Sequence, residues 1–460
     1  MRVGSIIPDD DLATIVLTGE MMDGSGVQDA TGAPWGERVE ALGAYLTAKF
    51  SPFLLILRSK ILIFPSRNQG TVMGILFLLD IYMIQRYAFK SSLENFQEHQ
   101  NAQLQIGSKT NGRRNMNSTP AHCLEGKELK DGWMVTEMIT RKPTSTGGKF
   151  SVGYKVQSKV GQEAFLKALD FSAAINCPDP ARELQHMTEA YNFERDVLSK
   201  CKHKKLRRVM TPILDGSIII DGFGIYSPVY YLIFDLAIGD IRDVVTESNN
   251  FDLAWCLRSL HNAAVGIQQL HGIGIAHQDL KPSNIIVMNE NEQKIGDLGK
   301  ASDKNLPSNN DFPPIPGDRS YAPPDLFYQD TGVDGFEKRF LADLYMLGSL
   351  FYFYFARISA FHDLICKLQG LPIKRASFKE DIPYFQHAFE ESINGLTPVV
   401  KETAGDLSKD IIDMIKQLCD PDPNKRGDPL WKHTIVPRYD LQRYISKLEL
   451  LCRKAEMRLR

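Results

Sequence analysis

A chain of 460 residues, 43% hydrophobic and 24% charged, has the composition of an ordinary globular protein and the length for two to four domains. Its formal net charge of −2 creates no strong field, so nothing in the charge points to nucleic acid or to a highly charged partner. The 7 cysteines are odd in number, scattered and without C-x-x-C spacing, which argues against a disulfide framework or a zinc site and for free thiols in a reducing, cytoplasmic setting.

In chain order, residues 1–125 come first as an extension without the pattern of a packed domain. Asp9, Asp10 and Asp11 precede any apolar stretch, which is not how a secretory signal reads. Phe53 to Leu57, Ile61 to Phe64 and most of Gly70 to Ile84 are apolar, but Arg58, Lys60, Arg67 and Asp80 interrupt them. No run reaches the ~18 residues that a spanning helix needs. Membrane association through 51–85 is therefore the disfavoured reading, since charge is costly in lipid. Residues 92–123 are rich in Asn, Gln and Ser and read as a linker.

Periodic segments follow. Gly147 and Gly148 mark the bend of a hairpin over Thr146–Lys155. Ala164–Leu169 is a short apolar strand interrupted by Lys167. Thr188–Lys200 carries Tyr191, Phe193, Val197 and Leu198 at partly helical spacing, with Glu189 and Glu194 among them. Tyr230–Ala237 is a β-rich apolar run. Asp252 caps a helix whose apolar stripe is Leu253, Leu257, Leu260, Ala264, Ile267 and Leu270. At the end, Arg438–Arg460 places Leu441, Tyr444, Ile445, Leu448 and Leu451 at helical spacing among many basic residues, which reads as a helix packed on a core.

The chemistry concentrates in His277-Gln278-Asp279-Leu280-Lys281-Pro282-Ser283-Asn284 and in Asp297-Leu298-Gly299, which begins 18 residues after Asp279. These are the groups a phosphoryl transfer needs. Asp279 can accept a proton from a hydroxyl nucleophile, and Lys281 can neutralise charge on the moving phosphate. Asn284 and Asp297 can hold Mg²⁺ against nucleotide phosphates.

This pattern resembles the catalytic and metal-binding loops of eukaryotic-type Ser/Thr protein kinases. The resemblance runs from about Trp133 to Pro437 and implies further roles. Lys167 resembles the strand lysine that pairs the nucleotide phosphates, and Glu194, with Glu189 as its rival, the helix acid that pairs with that lysine. Gly148 and Phe150 fall in the phosphate-covering loop. Phe234 takes the gatekeeper position, Asp235 and Ala237 offer backbone groups to adenine, and Asp240 faces ribose. Asp343 resembles the acid that holds the catalytic loop, and Asp325 would pair with Arg426.

Four departures from the family pattern carry information. Thr146, Ser151 and Gly153 replace two glycines and a valine of the phosphate loop. Phe165 stands where a small alanine usually roofs adenine, so either the pocket is reshaped or the strand is offset. Gln278 replaces the arginine that meets an activation-loop phosphate, and a neutral amide cannot make that charge-assisted pair. Leu298 replaces the phenylalanine after the metal-binding aspartate.

The expectation is thus an α+β, bilobal kinase fold over 130–437, with a small antiparallel β lobe, a larger helical lobe and a C-terminal helix over 438–460. The expected partners are ATP, Mg²⁺ and a protein bearing Ser or Thr, without control by phosphorylation of the activation loop. A small-molecule kinase and a pseudokinase scaffold are the alternatives. The complete D-L-K-P-x-N run argues against the first, and intact Lys167, Asp279, Asn284 and Asp297 argue against the second.

Overall fold

The computed structural model describes residues 2–3, 17–18, 119–140, 151–171, 174, 177–247, 251–311, 315–328, 335–369, 371, 373, 377–433 and 435–458. The chain divides into two units, Met1–Gly112 and Arg113–Arg460. In the first, Arg2–Val3 (β1) pairs antiparallel with Leu17–Thr18 (β2). The apolar stretch 51–85 lies outside the described residues.

The second unit begins with an antiparallel sheet. Met134–Met138 (β3), Ser151–Gln157 (β4) and Glu163–Leu169 (β5) form a meander. The chain then enters helix α1, Pro180–His203, and returns as Leu214–Ile219 (β6) and Pro228–Asp235 (β7). The strand order is β3-β4-β5-β7-β6. Alternation in β5 buries Ala164, Leu166 and Ala168 on one face and turns Phe165 and Lys167 to the other. Register sets Lys167 opposite Gly153 and Leu232, and Phe165 opposite Phe234. The core behind the sheet is made by Tyr154, Val156, Leu166, Tyr231 and Ile233, and it also takes in Ala121, Leu124 and Trp133 from the segment before β3.

Helix α1 starts cleanly. Pro180 sits in the first turn and the Asp179 side chain accepts from Arg182 N–H. Its buried stripe is Met187, Tyr191, Glu194, Leu198 and Cys201, at steps of three and four. Glu194 is the acid on that otherwise apolar stripe, so the same periodicity that packs the helix carries its carboxylate inward.

Beyond β7 the chain is mainly helical. Gly239–Asp240 (β8) leads into α2, Ile241–Glu247, and α3, Leu253–Gly272, capped by Asp252. Ile275–Ala276 (β9), Ile285–Asn289 (β10), Glu292–Ile295 (β11) and Ser302–Asp303 (β12) are short strands around the 277–284 loop. Helix α4, Glu337–Ala356, is buried on every side from Phe340 to Phe355 and ends at Arg357 in a left-handed conformation, φ 62°. Around it lie α5 (Ala360–Lys367), α6 (Phe378–Ala404), α7 (Ser408–Leu418) and α8 (Gln442–Arg458). Helix α8 lays Tyr444, Leu448, Leu451 and Cys452 into the core, and Arg258 of α3 reaches its Glu449 and Glu456, both at 2.7 Å. Among the described residues no single helix is long and apolar enough to cross a membrane.

Candidate active site

The facing surfaces of sheet and helices bring three charged groups together. Lys167 Nζ donates to Glu194 Oε1 and Oε2 at 2.8 and 3.0 Å, and lies 3.4 Å from Asp297 Oδ1. Burial alone would lower the ammonium's pKa, but the Asp297 and Glu194 carboxylates hold it above the ordinary lysine value. Lys167 in turn holds Asp297 below the usual carboxylate range, while burial keeps Glu194 above it. Asp297 is therefore an ionised acceptor, set in a left-handed backbone conformation, φ 55°. Glu189, the rival acid, is bound instead to Gln185 and Asn309. Since Lys167 meets Glu194, β5 is not offset, and Phe165 stands on the cleft side of the strand with Lys167.

The 277–284 loop is held from beneath. Fully buried Asp343 accepts the backbone N–H groups of His277 and Gln278, both at 2.7 Å, and contacts His271 Nε2 at 2.9 Å. The His277 ring bridges Gly296 O through Nε2 (3.0 Å) and Asp279 N through Nδ1 (3.2 Å), which assigns the ring proton to Nε2. Asp279 then presents a carboxylate whose Oδ1 accepts Asp318 N–H at 2.7 Å and whose Oδ2 accepts Asn284 Nδ2 at 3.1 Å. Lys281 Nζ lies 3.2 Å from the same Oδ2. Burial pushes the Asp279 carboxyl up, and Lys281 partly offsets this.

The donor set fits a hard divalent cation such as Mg²⁺. Both hydrogen bonds of Asn284 to Asp279 use Nδ2, which leaves Oδ1 as its acceptor, and Asp297 supplies an ionised carboxylate. Among the described residues no three His, Cys, Asp or Glu side chains converge as a metal site. A cation here would therefore draw further ligands from phosphate and water.

The nucleotide-contact residues are distributed as follows. Asp235 ends β7 opposite Ala164, and Ile238 N–H bonds Val287 O at 2.9 Å, fixing the connection between β7 and β8 that carries Ala237. Asp240 Oδ1 accepts Asp243 N–H at 3.0 Å at the start of α2. Gly148 and Phe150 lie outside the described residues. Leu298 is fully buried in the main core, which explains how an aliphatic residue serves after Asp297.

Two residues at this site carry no recognised motif. Asp318 donates its N–H to Asp279, and its carboxylate lies 3.5 Å from Lys281, so Lys281 is shared between two acids. Gly317 passes so close that a Cβ there would lie 2.4 Å from Gln278 O and 2.7 Å from Asp279 Oδ1. Their nearness to Tyr321-Ala322-Pro323 was the available signal. Further off, Arg426 donates to Asp325 at 2.7 Å with both side chains fully buried, and it also bonds Leu341 O and Asp420 O.

A bilobal fold with a lysine–glutamate pair facing an Asp–Lys–Asn loop is that of a protein kinase. The family model "Protein kinase domain" matches residues 147–432, well over half the chain, and the chain belongs to that family. Among curated relatives, the chain is similar to the probable serine/threonine-protein kinase fhkC of Dictyostelium discoideum, 23% identical over 60% of this chain and 43% of that protein. Mouse serine/threonine-protein kinase greatwall is 27% identical over 36% of this chain and 17% of that protein. An Aurora kinase of Debaryomyces hansenii is 22% identical over 68% of each. The chain spans less than half the length of the first two.

Proposed function

We propose that this kinase transfers the γ-phosphoryl group of ATP to a Ser or Thr hydroxyl of a protein substrate. The observation that carries the reading is the convergence of Lys167, Glu194 and Asp297 from three separate elements onto the loop that holds Asp279, Lys281 and Asn284. Lys167, fixed by Glu194, would pair the α- and β-phosphates. Asp235 and Ala237 would offer backbone groups to adenine, with Asp240 toward ribose and Gly148 and Phe150 over the phosphates.

Asp279 would orient the acceptor hydroxyl and take its proton as the oxygen–phosphorus bond forms and the bond to the ADP oxygen breaks. Lys281 would balance charge on the moving group. Asn284 and Asp297 would hold Mg²⁺, which when bound neutralises phosphate charge and clamps the phosphates in line. Gln278 supports a segment that needs no phosphate to be active, and the unpaired thiols support a reducing, cytoplasmic setting.

The test is incubation of the full chain with Mg²⁺ and γ-labelled ATP, with and without a basic protein substrate, followed by phosphoamino-acid analysis. Label on Ser or Thr that disappears with EDTA and in Lys167→Met is the expected result. A second reading, a pseudokinase acting as a nucleotide-binding or scaffold module, rests on the half-buried Phe165 ring beside the cleft. Mg²⁺-independent nucleotide binding without transfer would favour it.

A further inference from the structure

Gln278 leaves the 277–284 loop without a cation at the place where the family meets a loop phosphate, yet a guanidinium is there. It comes from Arg339, in the first turn of α4 and 61 residues away in sequence, whose NH1 donates to Gln278 Oε1 at 2.5 Å. The same NH1 donates to Ser302 Oγ at 3.0 Å and Asn310 O at 3.2 Å, and NH2 donates to Asp311 O at 2.7 Å. The Asp311 carboxylate lies 3.6 Å from NH2 and accepts the Ser302 hydroxyl at 2.6 Å and Ser308 N–H at 2.7 Å. Gln278 Nε2 closes the ring on Ser302 Oγ at 2.7 Å, and Asn310 Nδ2 reaches back to Gly299 O and Ala301 O.

This network joins four pieces of chain: the loop of Asp279, the turn after Asp297, the following segment, and the foot of α4. A cation in the first turn of a helix opposes the helix dipole and is unfavourable alone. Burial lowers the Arg339 guanidinium's pKa, with Asp311 and Asp343 opposing that. Such a placement holds only if a fixed anion compensates, and Asp311 is that anion. Ser302, fully buried inside the ring, offers no room for a phosphate.

We propose that Arg339 is a positioning residue that orders residues 299–311 after Asp297, with the Asp311 carboxylate supplying permanently the negative charge that phosphorylation supplies elsewhere. The geometric claim stands alone; its consequence for turnover rests on the function proposed above.

The test uses the full chain and three variants: Arg339→Gln, Asp311→Asn, and Arg339→Gln combined with Gln278→Arg, which moves the guanidinium to the other side of the same ring. Hydrogen exchange at 299–311 is read together with kcat and KM. Arg339→Gln should raise exchange there about tenfold and lower kcat by a similar factor, as expected from losing a charge-assisted network, with KM for ATP nearly unchanged. Asp311→Asn should do the same to a smaller degree, and the double variant should recover most of both.

Unchanged exchange in Arg339→Gln would overturn the proposal, as would a rise that the relocated arginine does not reverse. If Arg339→Gln fails to fold, Asp311→Asn decides, and unchanged exchange in that variant overturns the proposal. Absence of any transfer by the unmodified chain would defeat the functional reading, while the exchange data would still judge the network.

Discussion

The ring of Phe165 covers Gly153: a Cβ added at Gly153 would lie 3.0 Å from Phe165 Cε2 and 3.3 Å from Cζ. Each residue alone departs from the family pattern, one too small and the other too large. Together they conserve the volume of the sheet's cleft face, since Gly153 on β4 and Phe165 on β5 are near neighbours across the ladder. Gly153→Val should therefore overpack the site and destabilise the protein by about 1–3 kcal/mol. The same substitution should be tolerated beside Phe165→Ala. Denaturant unfolding of both singles and the double measures this, and strictly additive effects would mean that the two residues do not share the space.

Substitutions of the charged groups should separate binding from chemistry. Asp279→Asn keeps the shape that accepts Asp318 N–H but cannot take a proton, so turnover should fall by at least ~10²-fold with nucleotide binding nearly intact. Lys167→Met removes the charge that fixes Glu194 and Asp297 while a long apolar stem still fills the space, so transfer should vanish with the fold preserved. Label incorporation and nucleotide binding, measured on the same preparations, check both. Wild-type rates in either variant would refute the assignment.

The main features of this site were legible because they lie in contiguous runs. An eight-residue motif exposes Asp279, Lys281 and Asn284 together, and Glu194 could be preferred over Glu189 once its place on the buried stripe of α1 was known. Other features depend on chain segments that meet only in three dimensions. Arg339 reaches Gln278 across 61 residues, and no local pattern distinguishes it from an ordinary surface arginine. Asp318 lies near the Tyr321-Ala322-Pro323 signature, but its role is visible only where its N–H meets the Asp279 carboxylate. Phe165 and Gly153 read as two defects until register placed them against each other.

The pair of Asp325 and Arg426 gives a stability test away from the chemistry. Both side chains are fully buried, and Asp325 Oδ2 has no hydrogen-bond partner. Removing the cation alone with Arg426→Met should leave a buried carboxylate uncompensated and cost about 3–5 kcal/mol. Adding Asp325→Leu should return much of that loss, because an apolar pair avoids the desolvation penalty. A single variant as stable as the parent in urea would contradict the burial described here.

The small-lobe core reaches upstream of the first long strand, and this sets where the chain can be shortened. Leu124 and Ala121 are fully buried against the sheet, and the Tyr154 hydroxyl, whose pKa burial pushes up to about 12, donates to Ala121 O at 2.6 Å. A chain beginning at Thr119 keeps these contacts and should fold and turn over ATP as the full chain does. One beginning at Glu125 loses a buried leucine, a buried alanine and the acceptor of a buried phenol. Deleting a buried leucine side chain costs roughly 2–5 kcal/mol, and an unpaired buried hydroxyl adds roughly 1–3. Thermal unfolding of the two chains side by side should thus place the shorter one far below the longer. Equal melting temperatures would mean that the segment before β3 is not part of the folded unit.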